Sequence, residues 1–230
     1  MNTDDLLKRY AAGERQFQAT NLIGVSLARA ELEGIILKDA NLIGANLSGA
    51  NLEGADLCQA NLIGANLSAA NLRAVNLSGA ELIGANLGGA KLGDANLAGI
   101  TLNGANLSAA NLSGVNFSAA SLARANLAGA VLSAALLTDA NLSGANLSHA
   151  SLIEADLSRA NLDGANLVGA NLGKAVLQGA KLTNTNLRGT SLQGADLRSA
   201  DLSGANWPEE HWAEANLEDA ILPNGKVLNS

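Results

Sequence analysis

A leucine recurs at every fifth position of this chain for two hundred residues. Between positions 22 and 222, 38 of 41 such positions hold Leu, and the exceptions are Phe117, Trp207 and Trp212. If this position is called i, then i−2 is Ala in 32 of 41 cases, i−1 favours Asn, and i+2 holds 20 of the 25 glycines. The frame never slips by a residue, which is typical of a repeat protein.

A period of five fits neither an α-helix, with 3.6 residues per turn, nor a flat strand, with a period of two. The chain must therefore turn at regular intervals, and Gly at i+2 favours such corners because it adopts positive φ without steric cost. Residues i−2 and i then point to one side of a short extended segment and i−1 to the other. This pattern predicts an all-β solenoid with Leu and Ala inside and Asn outside.

A second period of twenty residues lies on top of the first. The segment NLIGANL occurs at 41–47 and again at 61–67, and Ile recurs at 23, 43, 63 and 83. One i−1 column is Asn at 46, 66, 86, 106, 126, 146, 166, 186 and 206, whereas the column ten residues away is mixed. Twenty-residue duplication would leave the same trace, and it would itself suggest that twenty is the structural unit. We expect about ten coils of four pentapeptides, rising roughly 4.8 Å each to a rod of about 50 Å.

The tandem motif A(N/D)LxG, as in ANLSGANLEGADL, resembles the pentapeptide-repeat family and its cyanobacterial members in particular. The resemblance implies a right-handed quadrilateral β-helix. We divide the chain into a capping helix and lead-in at 1–17, the repeat at 18–222 and a tail at 223–230.

Both ends of the repeat carry residues suited to covering an open coil. We expect a short N-terminal α-helix with Thr3 as its N-cap, Gly13 as its stop, and an apolar side formed by Leu6, Leu7 and Tyr10. At the other end Trp207 and Trp212 replace core leucines and are interpreted as plugs. The tail then leaves through an Asn-Gly turn at 224–225.

Composition excludes several classes of function. A formal charge of −7 without a Lys/Arg cluster disfavours direct binding to nucleic acid. The single Cys58 forms no internal disulfide, no secretory leader is visible at the start, and no apolar run is long enough to span a membrane. These features predict a soluble cytoplasmic protein, and they favour a monomer without fixing the oligomeric state.

No set of residues has the spacing of a catalytic, cofactor or metal site. His149 and His211 lie about three coils apart, or roughly 15 Å along the rod, and Cys58 has no His near it in the repeat frame. The phosphate-binding pattern GxxxxGK is absent. We therefore expect a protein that is not an enzyme and needs no cofactor.

Three outward-facing features are candidate interaction surfaces. The first is an apolar row at i+1, formed by Ile23, Ile43, Ile63 and Ile83, which is either an interface or a by-product of duplication. The second is either an acidic binding surface or an ordinary solvated face, interrupted by Lys38, Arg159 and Arg198 and formed by Asp39, Asp56, Asp139, Asp156 and Asp196, with Glu218 and Asp219. The third is a smaller apolar patch at Val131, Leu136 and Val176, which sequence drift would equally explain.

The Asn column at 46–206 has two interpretations. Stacked side-chain amides would form a structural ladder along the rod, as in other stacked β-assemblies. An ice-binding or glycan-binding face is the other.

The leading functional hypothesis is a non-enzymatic, rigid rod that binds a protein partner. Similarity to a cyanobacterial regulator of heterocyst differentiation implies contact with a transcriptional regulator and relief of its peptide-mediated inhibition. A DNA-mimicking, gyrase-binding protein of the quinolone-resistance branch is the alternative, although the modest charge and the interrupted acidic surface depart from that pattern. A purely structural or surface-binding solenoid is the third hypothesis.

Overall fold

The repeat forms a four-sided β-solenoid preceded by one short helix. The computed structural model describes residues 1–207 and 215–228, with helix α1 at Thr3–Ala11. Within the described repeat, each strand is a single-residue bridge at i−1, paired in parallel with the residue twenty positions on, from Gln16 with Ile36 to Asp201 with Ile221. This twenty-residue register confirms four pentapeptides per coil.

The four sides are named here by their central residues. Face 1 is centred on 22, 42 and every twentieth residue after them, and faces 2, 3 and 4 are centred in the same way on 27, 32 and 37. Face 4 also takes in Phe17, which is buried. Faces 1 and 3 lie on opposite sides of the solenoid, as do faces 2 and 4.

In a pentapeptide with Asn at i−1, such as 41–45, all five backbone N–H groups are hydrogen-bonded. Position i−1 donates to the preceding coil, i and i+2 donate to the following coil, i−2 closes the corner, and i+1 donates to the side-chain oxygen at i−1. In pentapeptide 41–45 the bonds are Asn41 N to Thr20 O (2.9 Å), Leu42 N to Asn61 O (2.7 Å), Ile43 N to Asn41 Oδ1 (3.3 Å), Gly44 N to Ile63 O (2.9 Å) and Ala45 N to Leu42 O (2.9 Å). This use of Asn explains the preference for it at i−1.

Every described corner from 19 to 219 has positive φ, whether or not it is glycine. Corner glycines have φ between 63° and 70°, and the nineteen other corner residues, including Ala69 and Arg124, have φ between 51° and 61°. The left-handed conformation costs a residue with a Cβ about 1–2 kcal/mol. The coil geometry therefore imposes positive φ on residues for which it is unfavourable. Gly at a corner lowers this conformational cost.

The interior is a continuous stack of Leu at i and Ala at i−2, nearly all of them fully buried. Phe117 takes one central position without becoming exposed. Two buried hydroxyls stand at i−2, where Thr185 donates to Leu182 O and Thr190 to Leu167 O, both at 2.7 Å. A buried hydroxyl is tolerated when it is hydrogen-bonded in this way.

Side-chain amides form a ladder along face 2, as the first interpretation of the Asn column predicts. Each Asn from 86 to 166 donates its Nδ2 to the Oδ1 of the Asn one coil earlier, at 2.9–3.3 Å. The same Oδ1 atoms accept the backbone N–H two residues on, as in Ser108 N to Asn106 Oδ1 at 3.2 Å. The ladder therefore runs unbroken from Asn66 to Asn166.

Helix α1 lies against the first coil, but its N-cap differs from the prediction. Asn2, not Thr3, is the cap, since Asn2 Oδ1 accepts from Asp5 N at 2.8 Å and Thr3 is already helical. Both residues can cap, and the prediction started the helix one residue late. Leu6 is fully buried and Tyr10 Oη donates to Glu33 O at 2.7 Å, which fixes the helix on the coil.

At the C-terminal end the tail folds back on the last coil. Gly225 has a φ of 80° and its N–H donates to Leu222 O at 2.8 Å, and Val227 pairs antiparallel with Ile221. The Asn-Gly turn at 224–225 is thus confirmed. Trp207 is buried, in keeping with its interpretation as a plug, whereas Trp212 lies outside the described residues.

In residues 1–207 and 215–228, no helix has the length and apolar character that crossing a membrane requires.

Gly129 tests the cost of the corner conformation. Its φ is 65° and a Cβ would meet nothing within 4 Å, so Gly129→Ala changes the backbone preference alone. We expect the free energy of unfolding to fall by about 1 kcal/mol, measured by chemical denaturation. Ser148→Ala, at a position without positive φ, should change it by less than about 0.5 kcal/mol. Equal stability of the two variants would contradict the assignment of strain to the corners.

Asn106 tests the amide ladder. Its Oδ1 accepts from Asn126 Nδ2 and Ser108 N, and its Nδ2 donates to Asn86. Because Asn106→Ala removes the acceptor of Asn126 Nδ2 and Ser108 N and one of the two donors to Asn86 Oδ1, we expect a loss of roughly 1–3 kcal/mol in unfolding free energy. Val131→Ala, at the same repeat position on face 3, is the control and should cost less than about 1 kcal/mol. A loss no larger than that of the control would mean that the ladder does not stabilise the fold.

Candidate functional site

Four isoleucines form a straight row along the N-terminal half of face 1. Ile23 and Ile83, at the two ends, are 54% and 43% exposed, and Ile43 and Ile63 between them are half-buried. Three coil rises separate the ends, or about 14 Å. The side chains at i+1 thus point outward, as the repeat frame predicts. We call this row the isoleucine stripe.

The stripe borders a corner that carries no side chains. Five successive corner residues between faces 1 and 2 are glycine, and a Cβ added to any of them would meet nothing within 4 Å: Gly24, Gly44, Gly64, Gly84 and Gly104. Arg124 occupies the next corner in line. We call the five residues the glycine edge. Repeat analysis identified the glycines as turn residues but not this open border beside the stripe.

On its other side the stripe is flanked by the i−1 column of face 1. Asn21, Asn41 and Asn61 each accept the backbone N–H of the neighbouring isoleucine, at 3.1–3.3 Å. Glu81 follows them in the column. The N-terminal half of face 1 therefore combines an apolar row with a column of amides, and Glu81 is its charged residue.

The acidic candidates lie on face 4 and at the corner that follows it, and most are bonded within the rod. Asp139 pairs with Arg159 through two bonds of 2.7 and 2.8 Å, and Asp196 pairs with Arg198 at 2.6 Å. Hydrogen bonds from these guanidinium groups hold the pKa of both carboxyls below its usual range. These carboxylates are charged but already matched by cations of the same face.

Two further aspartates of face 4, Asp56 and Asp156, accept hydrogen bonds from their own pentapeptide and from neighbouring coils. Partial burial raises the pKa of Asp156, but hydrogen bonds from Ser158 and Thr138 outweigh this effect, so the net shift is downward. Asp56 accepts from Cys58 N at 3.0 Å and from Asn76 Nδ2 at 3.1 Å. Asp39 is an exposed corner residue. The structure therefore does not bring the five aspartates together into one acidic array.

The smaller apolar patch is divided between two faces. Leu136 and Val176 alternate with Asp156 and Asp196 along face 4, whereas Val131 lies around the corner on face 3. Ile153, 38% exposed on face 3, was not among the predicted residues. It occupies i+1, as the stripe residues do, and it was missed because no Ile recurs twenty residues away.

A depression of about 450 Å³ lies beside Ile153, where Gly173 at i+1 leaves a gap between Ile153 and Gln193. Glu154 and Lys174 stand at its rim with 3.7 Å between Oε1 and Nζ. Its lining is mixed and open, and no reactive group converges on it. The depression therefore has the character of a surface notch.

The residues with catalytic potential are dispersed. His149 is an exposed corner residue whose ring lies over Gly169, and Cys58 Sγ accepts from Ser78 Oγ at 3.4 Å. Within residues 1–207 and 215–228, no group of three His, Cys, Asp or Glu side chains is placed to hold a metal ion. His211 lies outside the described residues.

Similarity to known proteins agrees with the repeat geometry. The family model described as pentapeptide repeats matches in eight copies, in overlapping stretches from 16–54 to 170–206. This chain shares 37% sequence identity with HetL, whose crystal structure is known. HetL is a pentapeptide repeat protein involved in heterocyst differentiation regulation from the cyanobacterium Nostoc sp. Strain PCC 7120. The similarity covers 99% of this chain and 100% of HetL, with a TM-score of 0.78.

Other solved structures are more distant. QnrB1, a plasmid-mediated fluoroquinolone resistance protein, is 19% identical over 90% of this chain and 91% of its own, with a TM-score of 0.44. A pentapeptide repeat protein of the Arabidopsis thaliana thylakoid lumen is 32% identical over 46% of this chain and 70% of its own, with a TM-score of 0.35. No curated protein sequence matches the chain. The family match and the full-length similarity to HetL show that this chain belongs to the pentapeptide-repeat family.

Proposed function

We propose that this protein is a non-enzymatic interaction module that acts in the regulation of heterocyst differentiation in a cyanobacterium. In this role the rod contacts a transcriptional regulator in the cytoplasm and relieves the inhibition of that regulator by a peptide. The isoleucine stripe is the contact surface. We propose further that the rod is wound right-handed and contains about ten coils.

The observation that carries this proposal is the similarity to HetL over the whole of both chains. Two properties of the described residues support it. The rod offers flat faces with side chains in fixed register. The stripe is an outward-facing row of aliphatic side chains, two exposed and two half-buried, and apolar surface of this kind can mark an interface.

The gyrase-binding alternative has less support. A DNA mimic presents regularly spaced unpaired negative charge, whereas Asp139 and Asp196 are neutralised by Arg159 and Arg198. The purely structural alternative is supported by the amide ladder, which uses the Asn side chains of face 2 to stabilise the coil stack.

Lysine substitutions in the stripe test the contact surface. Ile43→Lys with Ile63→Lys puts two charges in the middle of the apolar row. The regulator is captured from cell lysate with the unsubstituted protein, and we expect the double variant to bind it at least tenfold more weakly. Ser113→Lys with Ser133→Lys makes the same change at the same repeat position on the opposite face and should bind as the unsubstituted protein does. Circular dichroism confirms that both variants fold. Equal binding by both would remove the stripe from the interface.

A supercoiling assay separates the leading proposal from the gyrase alternative. We expect no inhibition of gyrase at micromolar concentrations of the protein, and no protection of the enzyme from a quinolone, because face 4 lacks a continuous acidic surface. Inhibition or protection in that range would reverse the order of the two proposals.

A further inference from the structure

Face 2 carries no carboxylate between residues 26 and 206, although the chain has 21 acidic residues and a net charge of −7. Its i−1 column is Asn after Ser26, and its i+1 column is Ala, Ser, Gly and Val until Arg188. The corners on its two sides hold no Asp or Glu over the same range. The acidic residues of the repeat in this range therefore belong to the other three faces. We call this surface the amide face.

Basic side chains border the amide face. Arg29 and Arg124 are exposed corner residues on its two sides, and Arg188 is exposed on the face itself. The salt bridges found in the described part of the chain involve Arg9, Arg73, Arg159, Lys174 and Arg198 instead. The positive charge of this face therefore has no carboxylate on the same face to pair with.

The amides of the ladder also present donors rather than acceptors. An Asn side chain has two N–H groups, and the ladder uses one of them. Each Oδ1 within the ladder already accepts two hydrogen bonds, one from the next amide and one from a backbone N–H. The remaining donors repeat at about 4.8 Å, the spacing of stacked coils. The amide face is therefore complementary to a surface rich in acceptors.

The amide face and the isoleucine stripe form one continuous surface across the glycine edge. No side chain separates the two from Gly24 to Gly104, and the corner ends at Arg124. Five coil rises lie between Gly24 and Arg124, a length of about 24 Å. One elongated segment laid along this corner would touch aliphatic groups on one side and donors on the other.

A helix fits this corner better than a strand does. The N–H groups of the faces are used inside the rod, as in pentapeptide 41–45, so an extended peptide would find no row of free donors on a strand edge to pair with. A helix satisfies its own backbone and brings a side chain to the stripe about every 5.4 Å, close to the 4.8 Å coil rise. About 16 helical residues span 24 Å.

A second copy of this chain does not fit. In a twofold contact through this surface, the amide donors and arginines of one copy would face either the same groups or the isoleucine stripe of the other, and neither supplies acceptors. The stripe alone, about 14 Å long and roughly one side chain wide, covers far less than the roughly 800 Å² per partner of a stable interface.

We propose that this corner binds an acidic amphipathic helix of the protein partner, with aliphatic residues on the isoleucine stripe and Asp or Glu residues over the amide face. The inference rests on the proposed function. It extends the contact surface from the isoleucine stripe to the amide face, and it describes the part of the partner that binds there as an acidic amphipathic helix.

Two synthetic helical peptides test the inference. Both peptides carry aliphatic residues at helix positions 1, 5, 8 and 12. They differ only in whether Glu or Lys occupies the flank that faces the amide face. We expect the Glu peptide to bind at least tenfold more tightly in fluorescence anisotropy, and its affinity to fall with added salt. Because the protein carries a charge of −7, non-specific attraction would favour the Lys peptide. Equal binding, or tighter binding of the Lys peptide, would overturn the inference.

Charge reversal locates the binding surface. Ser68→Glu and Arg124→Glu place carboxylates on the amide face and at the end of the glycine edge, and each should weaken the Glu peptide at least fivefold. Ser113→Glu, at the same repeat position as Ser68 but on face 3, should not. No difference among the three variants would overturn the inference, as would binding of an anionic polysaccharide in place of the Glu peptide.

The same variants distinguish the two proposals. If Ile43→Lys with Ile63→Lys abolishes capture of the regulator while Ser68→Glu and Arg124→Glu leave it unchanged, the proposed function stands and the acidic helix is wrong. If the charge variants weaken the Glu peptide while the lysine variants leave capture of the regulator unchanged, the amide face binds acidic helices and the proposed function loses its contact surface.

Discussion

The twenty-residue register of backbone hydrogen bonds determines the other features of this protein. Each i−1 residue pairs with the residue one coil away, and this pairing fixes which side chains stack above one another. The same pairing sets the corners, where φ is positive even at residues such as Arg124 and Asp139. Core stacking, the amide ladder and the isoleucine stripe all follow, because a residue chosen at one position meets its counterpart in the next coil.

The register also separates the residues that make the fold from those that can specialise. Positions i−2 and i are fully used in the core, and i−1 is constrained by its bond to the N–H of i+1. Position i+1 and the side chains at the corners are left to vary. This division explains how one chain can combine a donor face without carboxylates, an apolar row and a face of matched charges on a repetitive core.

Much of the fold can be predicted from sequence because its period is short and unbroken. The five-residue period predicts the inward Leu and Ala, and the twenty-residue period predicts four sides, both of which the structure confirms. The N-cap was misplaced because Asn2 and Thr3 are both good caps, and only the bond from Asp5 N to Asn2 Oδ1 distinguishes them. Ile153 was not predicted because it is the one Ile at its repeat position on face 3, and the isoleucine prediction depended on recurrence every twenty residues.

The candidate surfaces were less predictable, for a geometric reason. A corner residue belongs to two faces, so a column-by-column inspection assigns Arg29 and Arg124 to no face in particular. The absence of carboxylates from face 2 becomes visible only when corners and faces are considered together. Likewise, Asp139 and Arg159 are twenty residues apart in sequence but form a bidentate ion pair. The negative charge of Asp139 is therefore offset locally, although the sequence alone does not pair the two residues.

Because a coil is four identical steps, the length of an insertion or deletion decides what it changes. Twenty residues added anywhere in the repeat lengthen the rod and leave every column on its own face. Five residues added at the same place preserve the core frame equally well, yet they rotate all later columns by one side. An insertion of one pentapeptide between Ile43 and Ile63 would thus split the stripe between two faces without disturbing a single buried leucine. The core frame alone therefore does not require the stripe to stay on one face through four coils.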